Sequence, residues 1–306
     1  MALERKVLII ASVDIQVSIV IPFYGNINSL EKCLHALVRQ KFQTPIAFEV
    51  LVVDNSPLGL DAPRVPKLAP SLPLRVFHEP RPGSYAARNR ALREARGSSL
   101  LFTDADCIPC DEWIESTCAC LEAMNENTCF YLAGRVRFLP TERASLAARY
   151  DRFFHLKQKH FAQTLSFAAT ANMGVRRVDF DKVGPFDESL LSGGDQDWGR
   201  RASLVGLRPR YFPDVFVWHP HVNALSDLLA KERRMAGGRV ALRQKWPQFQ
   251  RTPGKGLQTR YPRAGMMLSS RKPLGVFAFL ILHIAVRAIH KLETLRCRLG
   301  GQARRA

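Results

Sequence analysis

The chain has 306 residues, 46% of them hydrophobic, and 45 Lys and Arg against 27 Asp and Glu give it a formal charge of +18. That leaves room for one large domain with an ordinary globular core plus an appendage. Seven cysteines, an odd number at irregular spacings, argue against a disulfide framework and for a cytoplasmic protein.

In chain order, Val7-Leu8-Ile9-Ile10-Ala11 is too short for the apolar region of a signal peptide, so residues 1–14 read as an N-terminal extension. Val17-Ser18-Ile19-Val20-Ile21 then runs into Pro22-Phe23-Tyr24-Gly25-Asn26, and Phe48-Glu49-Val50-Leu51-Val52-Val53 runs into Asp54-Asn55-Ser56-Pro57. Short Val/Ile/Leu runs bounded by Pro, Gly, Asn and Asp are the pattern of buried parallel strands. Between them, Leu30, Leu34, Leu37 and Val38 share one helical face, with Ser29 as a plausible N-cap. Residues 57–73, rich in Pro and Leu, predict a loop with a short helix at most. Alternating strands and helices with polar strand ends define an α/β, doubly wound sheet.

A third apolar run, Ser98-Ser99-Leu100-Leu101-Phe102, ends in Thr103-Asp104-Ala105-Asp106-Cys107. Ligands of open α/β sheets bind beyond the carboxyl ends of the strands. Two carboxylates there suit a hard divalent cation such as Mn²⁺ or Mg²⁺ that holds a ligand's phosphates. An isolated Asp-x-Asp equally fits a solvated turn or a helix N-cap; Asp54 on the same rim shifts the balance towards a nucleotide site. Cys107 and Cys110 form a C-x-x-C, but no second pair completes a tetrahedral zinc site.

The run Arg81-Pro82-Gly83-Ser84-Tyr85-Ala86-Ala87-Arg88-Asn89-Arg90-Ala91-Leu92, then Ala95-Arg96-Gly97, the Asp-Ala-Asp and Trp113-Ile114 resemble the family 2 glycosyltransferases. A second block extends the likeness through Ala169–Arg177, Val183–Glu188, Gly193–Arg201 and Arg210–His219, so that it covers roughly residues 15–222. The resemblance implies a GT-A type domain with a doubly wound mixed sheet, a nucleotide-sugar donor, a divalent cation and inversion at the anomeric centre. By the same analogy Pro22 and Tyr24 line the donor, Asp54 binds the base, Asp104 lies near the ribose and Asp106 holds the metal. Arg81 and Arg88 either neutralise phosphates or form a solvated basic surface.

Inversion needs a base for the acceptor hydroxyl, and Asp195 matches the second residue of the family's Glu-Asp motif. Gly194 stands where that motif has Glu, which puts acceptor recognition in doubt. Asp197 reads as structural, capping the helix that follows. Trp198 either stacks on an acceptor sugar or belongs to the core. His219, which ends the apolar run Val215–Trp218, is a second metal ligand or a rim histidine, and His221 reads as a neighbour only.

The charge is unevenly placed: residues 231–306 hold 18 Lys and Arg and 2 Asp and Glu, while residues 1–230 are almost neutral. A segment so charged seeks a polyanion. The apolar run Leu274–Leu282 is shorter than the roughly 20 residues of a spanning helix. Continued as a helix, it places His283, Arg287, His290, Lys291, Thr294 and Arg298 on one face and Ile284, Ala288, Ile289, Leu292, Leu295 and Leu299 on another. That pattern predicts a basic amphipathic helix lying on an anionic membrane, with packing on the catalytic domain or a dimer contact as the alternatives. Nucleic acid is not the expected partner, because no aromatic-plus-basic surface pattern accompanies the charge. The expectation is a catalytic domain over residues 15–230 and a basic segment over 231–306. Together they would transfer sugar, with UDP the favoured nucleotide, to a glycan or lipid-linked acceptor at the inner face of the cell membrane. A non-catalytic nucleotide-sugar-binding protein of the same fold is the alternative.

Overall fold

A computed structural model describes residues 14–124, 129–250 and 273–301. One eight-stranded mixed sheet organises the chain. Its strands are β1 (Val17–Phe23), β2 (Phe48–Asp54), β3 (Leu74–His78), β4 (Ser99–Thr103), β5 (Ile108–Pro109), β6 (Phe130–Phe138), β7 (Asn172–Arg176) and β8 (Arg208–His219), in the order β3-β2-β1-β4-β7-β6-β8-β5. The helices are α1 (Ile27–Val38), α2 (Ser84–Glu94), α3 (Trp113–Glu122), α4 (Leu146–Phe154), α5 (Gln158–Leu165), α6 (Arg177–Val183), α7 (Gly194–Leu204), α8 (Leu225–Lys245) and α9 (Pro273–Arg298).

The first four strands are parallel, so the carboxyl ends of β1, β2 and β4 share one edge. Their two-residue period splits the core. Val17, Ile19, Ile21 and Phe23 face α1 and α3 with Leu30, Leu34, Leu37, Trp113 and Ile114, all buried. Phe102 turns to the opposite face and packs edge-on against Phe186. Gly97, ahead of β4, lies so close to β1 that a Cβ there would sit 2.4 Å from the Ser18 nitrogen; no other residue fits without moving that strand.

The expected elements around these strands need two corrections. Asn26, not Ser29, caps α1, its side chain accepting from the Ser29 N–H at 3.1 Å. Val38, expected on the buried face, is exposed, because the helix ends there. Between β2 and β3 only one 3₁₀ turn forms, Val65–Lys67.

The chain divides into two compact units. The first comprises residues 1–139, 156–188 and 194–220 and holds the whole sheet. The second takes residues 140–155, 189–193 and 221–306, with helices α4, α8 and α9. In the second unit Leu282 and Val286 of α9 are buried with Ala147, Tyr150 and Leu228. A chain of charges lies beneath them: Lys231 donates to Asp151 at 2.7 Å, and Asp151 pairs with His155 at 2.6 Å. His155 then meets Glu232 at 3.0 Å, and Glu232 pairs with His290 of α9 at 2.6 Å. Tyr150 and His283 share a further hydrogen bond at 3.2 Å.

The tail helix therefore departs from the expected division of faces. His283 and His290, placed on the basic face with Arg287 and Lys291, turn towards α4 and α8, where Tyr150 and Glu232 offer partners. The outward stripe is apolar and runs through Phe277, Leu280, Ile281, Ile284, Leu292, Leu295 and Leu299, from 46% to 79% exposed. No helix among the described residues is long and apolar enough to cross a membrane.

Candidate active site at the carboxyl edge of the sheet

Three strand ends and one helix start contribute to the site. Asp104 and Asp106 follow β4, and both are partly exposed. The short strand β5 then pairs antiparallel with the end of β8, Ile108 opposite Trp218. This pairing brings the residue after Trp218 back to the residues before Ile108. His219 Nε2 accordingly lies 3.6 Å from Asp106 Oδ2, although the two are far apart in sequence.

The donor set fits a divalent cation. His219 Nδ1 lies 2.6 Å from the Pro220 carbonyl oxygen and donates to it, which in the neutral ring makes Nε2 the ligand nitrogen on the Asp106 side. An oxygen and an imidazole nitrogen opposed in this way suit a borderline-hard ion better than they suit each other. Asp106, Cys107 and His219 have ligand atoms within 4.8 Å of one another. Cys107 is nonetheless fully buried, and burial, with the charges of Asp106 and Asp104, pushes its thiol well up, so it remains a neutral core side chain. All seven cysteines are free.

Arg88, on α2 and 3% exposed, donates through Nη2 to Asp104, and its Nε is buried without a partner among the described residues. A buried guanidinium with an unused donor is matched to an anion. Arg81 differs: it is exposed and held by Glu79 at 2.9 Å and by Glu188, so its charge is already met by two carboxylates.

Asp54 ends β2 fully buried, and both oxygens accept backbone N–H groups of its own loop, from Ser56 at 2.9 Å and Ala62 at 3.1 Å. These two bonds shape the loop that follows β2. Pro22 lies within β1, half-buried, and Tyr24 follows it on the same edge, exposed.

Asp195 occupies the first turn of α7, where the helix dipole favours a negative charge. Its Oδ1 accepts from the Gln196 N–H at 2.9 Å and the Tyr85 hydroxyl at 3.2 Å. Burial nevertheless raises its carboxyl above the usual range, against the opposing pull of Arg88, the Gln196 N–H and Tyr85. Trp198 is corrected to a core residue. It is fully buried, donates from Nε1 to the Gly184 carbonyl and stacks on Phe180 at 5.3 Å, so no acceptor sugar can reach its ring. Asp197, in the first turn of α7, is structural: it is fully buried and accepts from Arg201 Nε at 3.1 Å.

Several site-building residues carried no assigned role in the sequence. Asn55 donates to the Glu79 and Arg81 carbonyls and accepts from the Gly83 N–H, tying the end of β2 to the start of α2. Asn89 binds both the N–H and the carbonyl of Phe186. Tyr85 joins α2 to Asp195. All three lie in the quoted runs, but only folding reveals their partners.

A mixed sheet flanked by helices, with carboxylates at the carboxyl edge of its parallel strands, has the architecture of a GT-A type domain. The chain belongs to glycosyl transferase family 2, whose family model matches residues 18–184. It is 33% identical over 227 residues to the glycosyltransferase AglE of Haloferax volcanii, covering 73% of this chain and 73% of that one. It is 28% identical over 242 residues to the pre-mycofactocin glycosyltransferase of Mycobacterium tuberculosis, covering 76% of this chain but 48% of that relative. Among solved structures it is similar to the mannosyltransferase PcManGT of Pyrobaculum calidifontis in complex with GDP-Man and Mn²⁺. That likeness has a TM-score of 0.58 at 18% identity and covers 93% of this chain and 80% of that one. Staphylococcus aureus TarS residues 1-349 in complex with UDP give a TM-score of 0.52 at 18% identity, with 94% and 93% covered. At such identities these structures share the fold.

Proposed function

We propose that this glycosyltransferase takes its sugar from a nucleotide-sugar donor and passes it to a hydroxyl with inversion, assisted by a divalent cation, Mn²⁺ or Mg²⁺. The observation that carries this reading is the opposed pair Asp106 and His219, brought from distant parts of the chain to 3.6 Å of each other. These two side chains would hold the ion, which when bound supplies Lewis-acid stabilisation of the departing diphosphate's charge. Arg88, buried beside Asp104, donates to the same diphosphate. Asp104 orients Arg88 and lies near the ribose, and Pro22 and Tyr24 border the nucleotide. Asp54 acts indirectly, by fixing the loop over residues 56–62.

Asp195 is the general base. Its Oδ2 has no hydrogen-bond partner among the described residues, while Oδ1 is held by two donors. It takes the acceptor proton as the acceptor oxygen attacks C1 and the bond to the diphosphate breaks. UDP is the favoured nucleotide, and the acceptor a glycan or a lipid-linked sugar. The catalytic residues lie in the sheet-bearing unit, which ends at residue 220. The basic segment 231–306 sets the enzyme on an anionic membrane surface, at its cytoplasmic face. The exposed apolar stripe of α9, within a sequence segment of 18 basic and 2 acidic residues, supports that location.

A thermal-shift panel of UDP-, dTDP- and GDP-sugars with and without Mn²⁺ tests the donor reading. A ligand that binds only the folded state raises Tm by mass action. Stabilisation by one nucleotide class in Mn²⁺, lost on chelation, is the expected result. Equal stabilisation with and without metal would remove the cation from the mechanism.

A further inference from the structure

We propose that Tyr85 is a positioning residue for Asp195, and that Tyr85 and Gly194 form a matched pair in which the tyrosine ring takes the space beside the base that a side chain at 194 would fill. The inference rests on reading Asp195 as the base, and it adds how that base is aimed.

Two independent pieces of geometry carry it. The first is steric. A Cβ built at Gly194 would lie 2.6 Å from Tyr85 Cε2, 2.7 Å from Cδ2 and 2.8 Å from Cζ. The ring has little freedom to retreat. It is 6% exposed, tilted against Phe186 at 5.7 Å, and has the Arg88 guanidinium 5.5 Å from its centroid. Glycine at 194 is therefore a requirement of the tyrosine at 85, and the departure from the family's Glu-Asp has a local physical cause.

The second is the direction of the hydroxyl. Fixed at its ring, Tyr85 donates to Asp195 Oδ1 at 3.2 Å, the same oxygen that accepts the Gln196 N–H at 2.9 Å. Two donors on one oxygen define the rotation of the carboxylate and leave Oδ2 as the basic oxygen. The same tyrosine lies under Arg88, which holds Asp104, so one run of contacts joins the Asp-Ala-Asp edge to the base. The charged and titratable groups facing Asp195 are Arg88, Asp104, Tyr85 and Tyr131.

The test separates aim from mere packing. Tyr85→Phe keeps the ring and removes the hydroxyl. It is expected to leave Tm unchanged at acid pH, below the titration, and to raise the midpoint of the Asp195 carboxyl titration, read by ¹³C NMR and assigned by its absence in Asp195→Asn. The rise should be about 0.5–1 pH unit, the worth of one net hydrogen bond. An unchanged midpoint overturns the positioning role. For the pair, Gly194→Ala should lower Tm by a few degrees alone and by much less in a Tyr85→Ala background, a non-additive cycle. Equal losses in both backgrounds overturn the matched pair. Neither readout requires turnover. If Asp195→Asn keeps full transfer activity, the base reading fails by itself, distinguishably from either result above.

Discussion

Asp195 and Asp106 are both carboxylates of the same edge, yet their surroundings ask different things of them. Asp106 is open and opposed to an imidazole; Asp195 is drawn into a site where burial works against its charge. Asp106→Ala should therefore abolish any Mn²⁺-dependent thermal shift together with turnover. Asp195→Asn should leave that shift intact while lowering kcat by roughly 10²–10⁴-fold, the usual worth of a general base. The sign of its stability effect follows from linkage. A carboxyl raised in the folded state holds its proton there longer than in the unfolded chain, so it withdraws stability as pH rises through that window. Asp195→Asn should accordingly keep or raise Tm at neutral pH, and a clear fall in Tm would count against the burial argument. At this scale the sequence was legible where chemistry is local: Asp-Ala-Asp after an apolar run names its own position. It was not legible at Asp54, where one oxygen accepts from the nearby Ser56 N–H but the other from Ala62, eight residues on. Nor was it at Trp198, because periodicity alone does not say whether an indole faces the core or a ligand.

Among the elements, α9 shows how far a hydrophobic pattern can be read. The sequence contains an apolar stripe and a basic stripe, and a helix forms there with basic Arg296 and Arg298 in its last turn. What the pattern cannot say is which stripe packs, because histidine belongs to either. His290 goes inward since Glu232 waits there; Ile284 and Leu292 are left outward. The membrane proposal then makes a sharp demand on the outward side. Ile284→Glu combined with Leu292→Glu should leave the fold and any nucleotide-induced Tm shift unchanged and abolish sedimentation with phosphatidylglycerol vesicles. Sedimentation equal to that of the unaltered protein would show that this stripe does not enter lipid.

For the molecule as a whole, the alternation of strand and helix over the first hundred residues was readable, because parallel strands buried on both faces leave short continuous apolar runs. The second unit was not, since it gathers residues 140–155 and 189–193 into a body otherwise built from residues 221–306. Its stability should depend on acid. Burial opposes the charge of Asp151 and Glu232. The hydrogen bonds and charges of His155 and Lys231 on the first, and of His155 and His290 on the second, overcome it and hold both carboxyls far below their ordinary range. Groups depressed in this way contribute fully above their unfolded pKa values, about 4, and the contribution drains away as pH falls below them. The resistance of the protein to chemical denaturant should therefore fall steeply below about pH 4. Glu232→Ala should cost about 3–5 kcal/mol at neutral pH, as removal of one partner from a buried ion pair does. An acid profile unaltered by that substitution would refute the assignment.

The two-residue strand β5 has a consequence for the order in which the site comes into being. Strands β1 to β4 are contiguous in the chain and can assemble Asp104 and Asp106 from their own crossovers. His219 reaches Asp106 only when β8, entering between β6 and β5, completes the far side of the sheet. Closing that long loop must await most of the fold, since its entropy has to be met before its contacts reward it. The pair that would grip the cation is thus among the last contacts to form, so a partly folded chain would present carboxylates at a nucleotide-binding edge without the histidine that completes the grip.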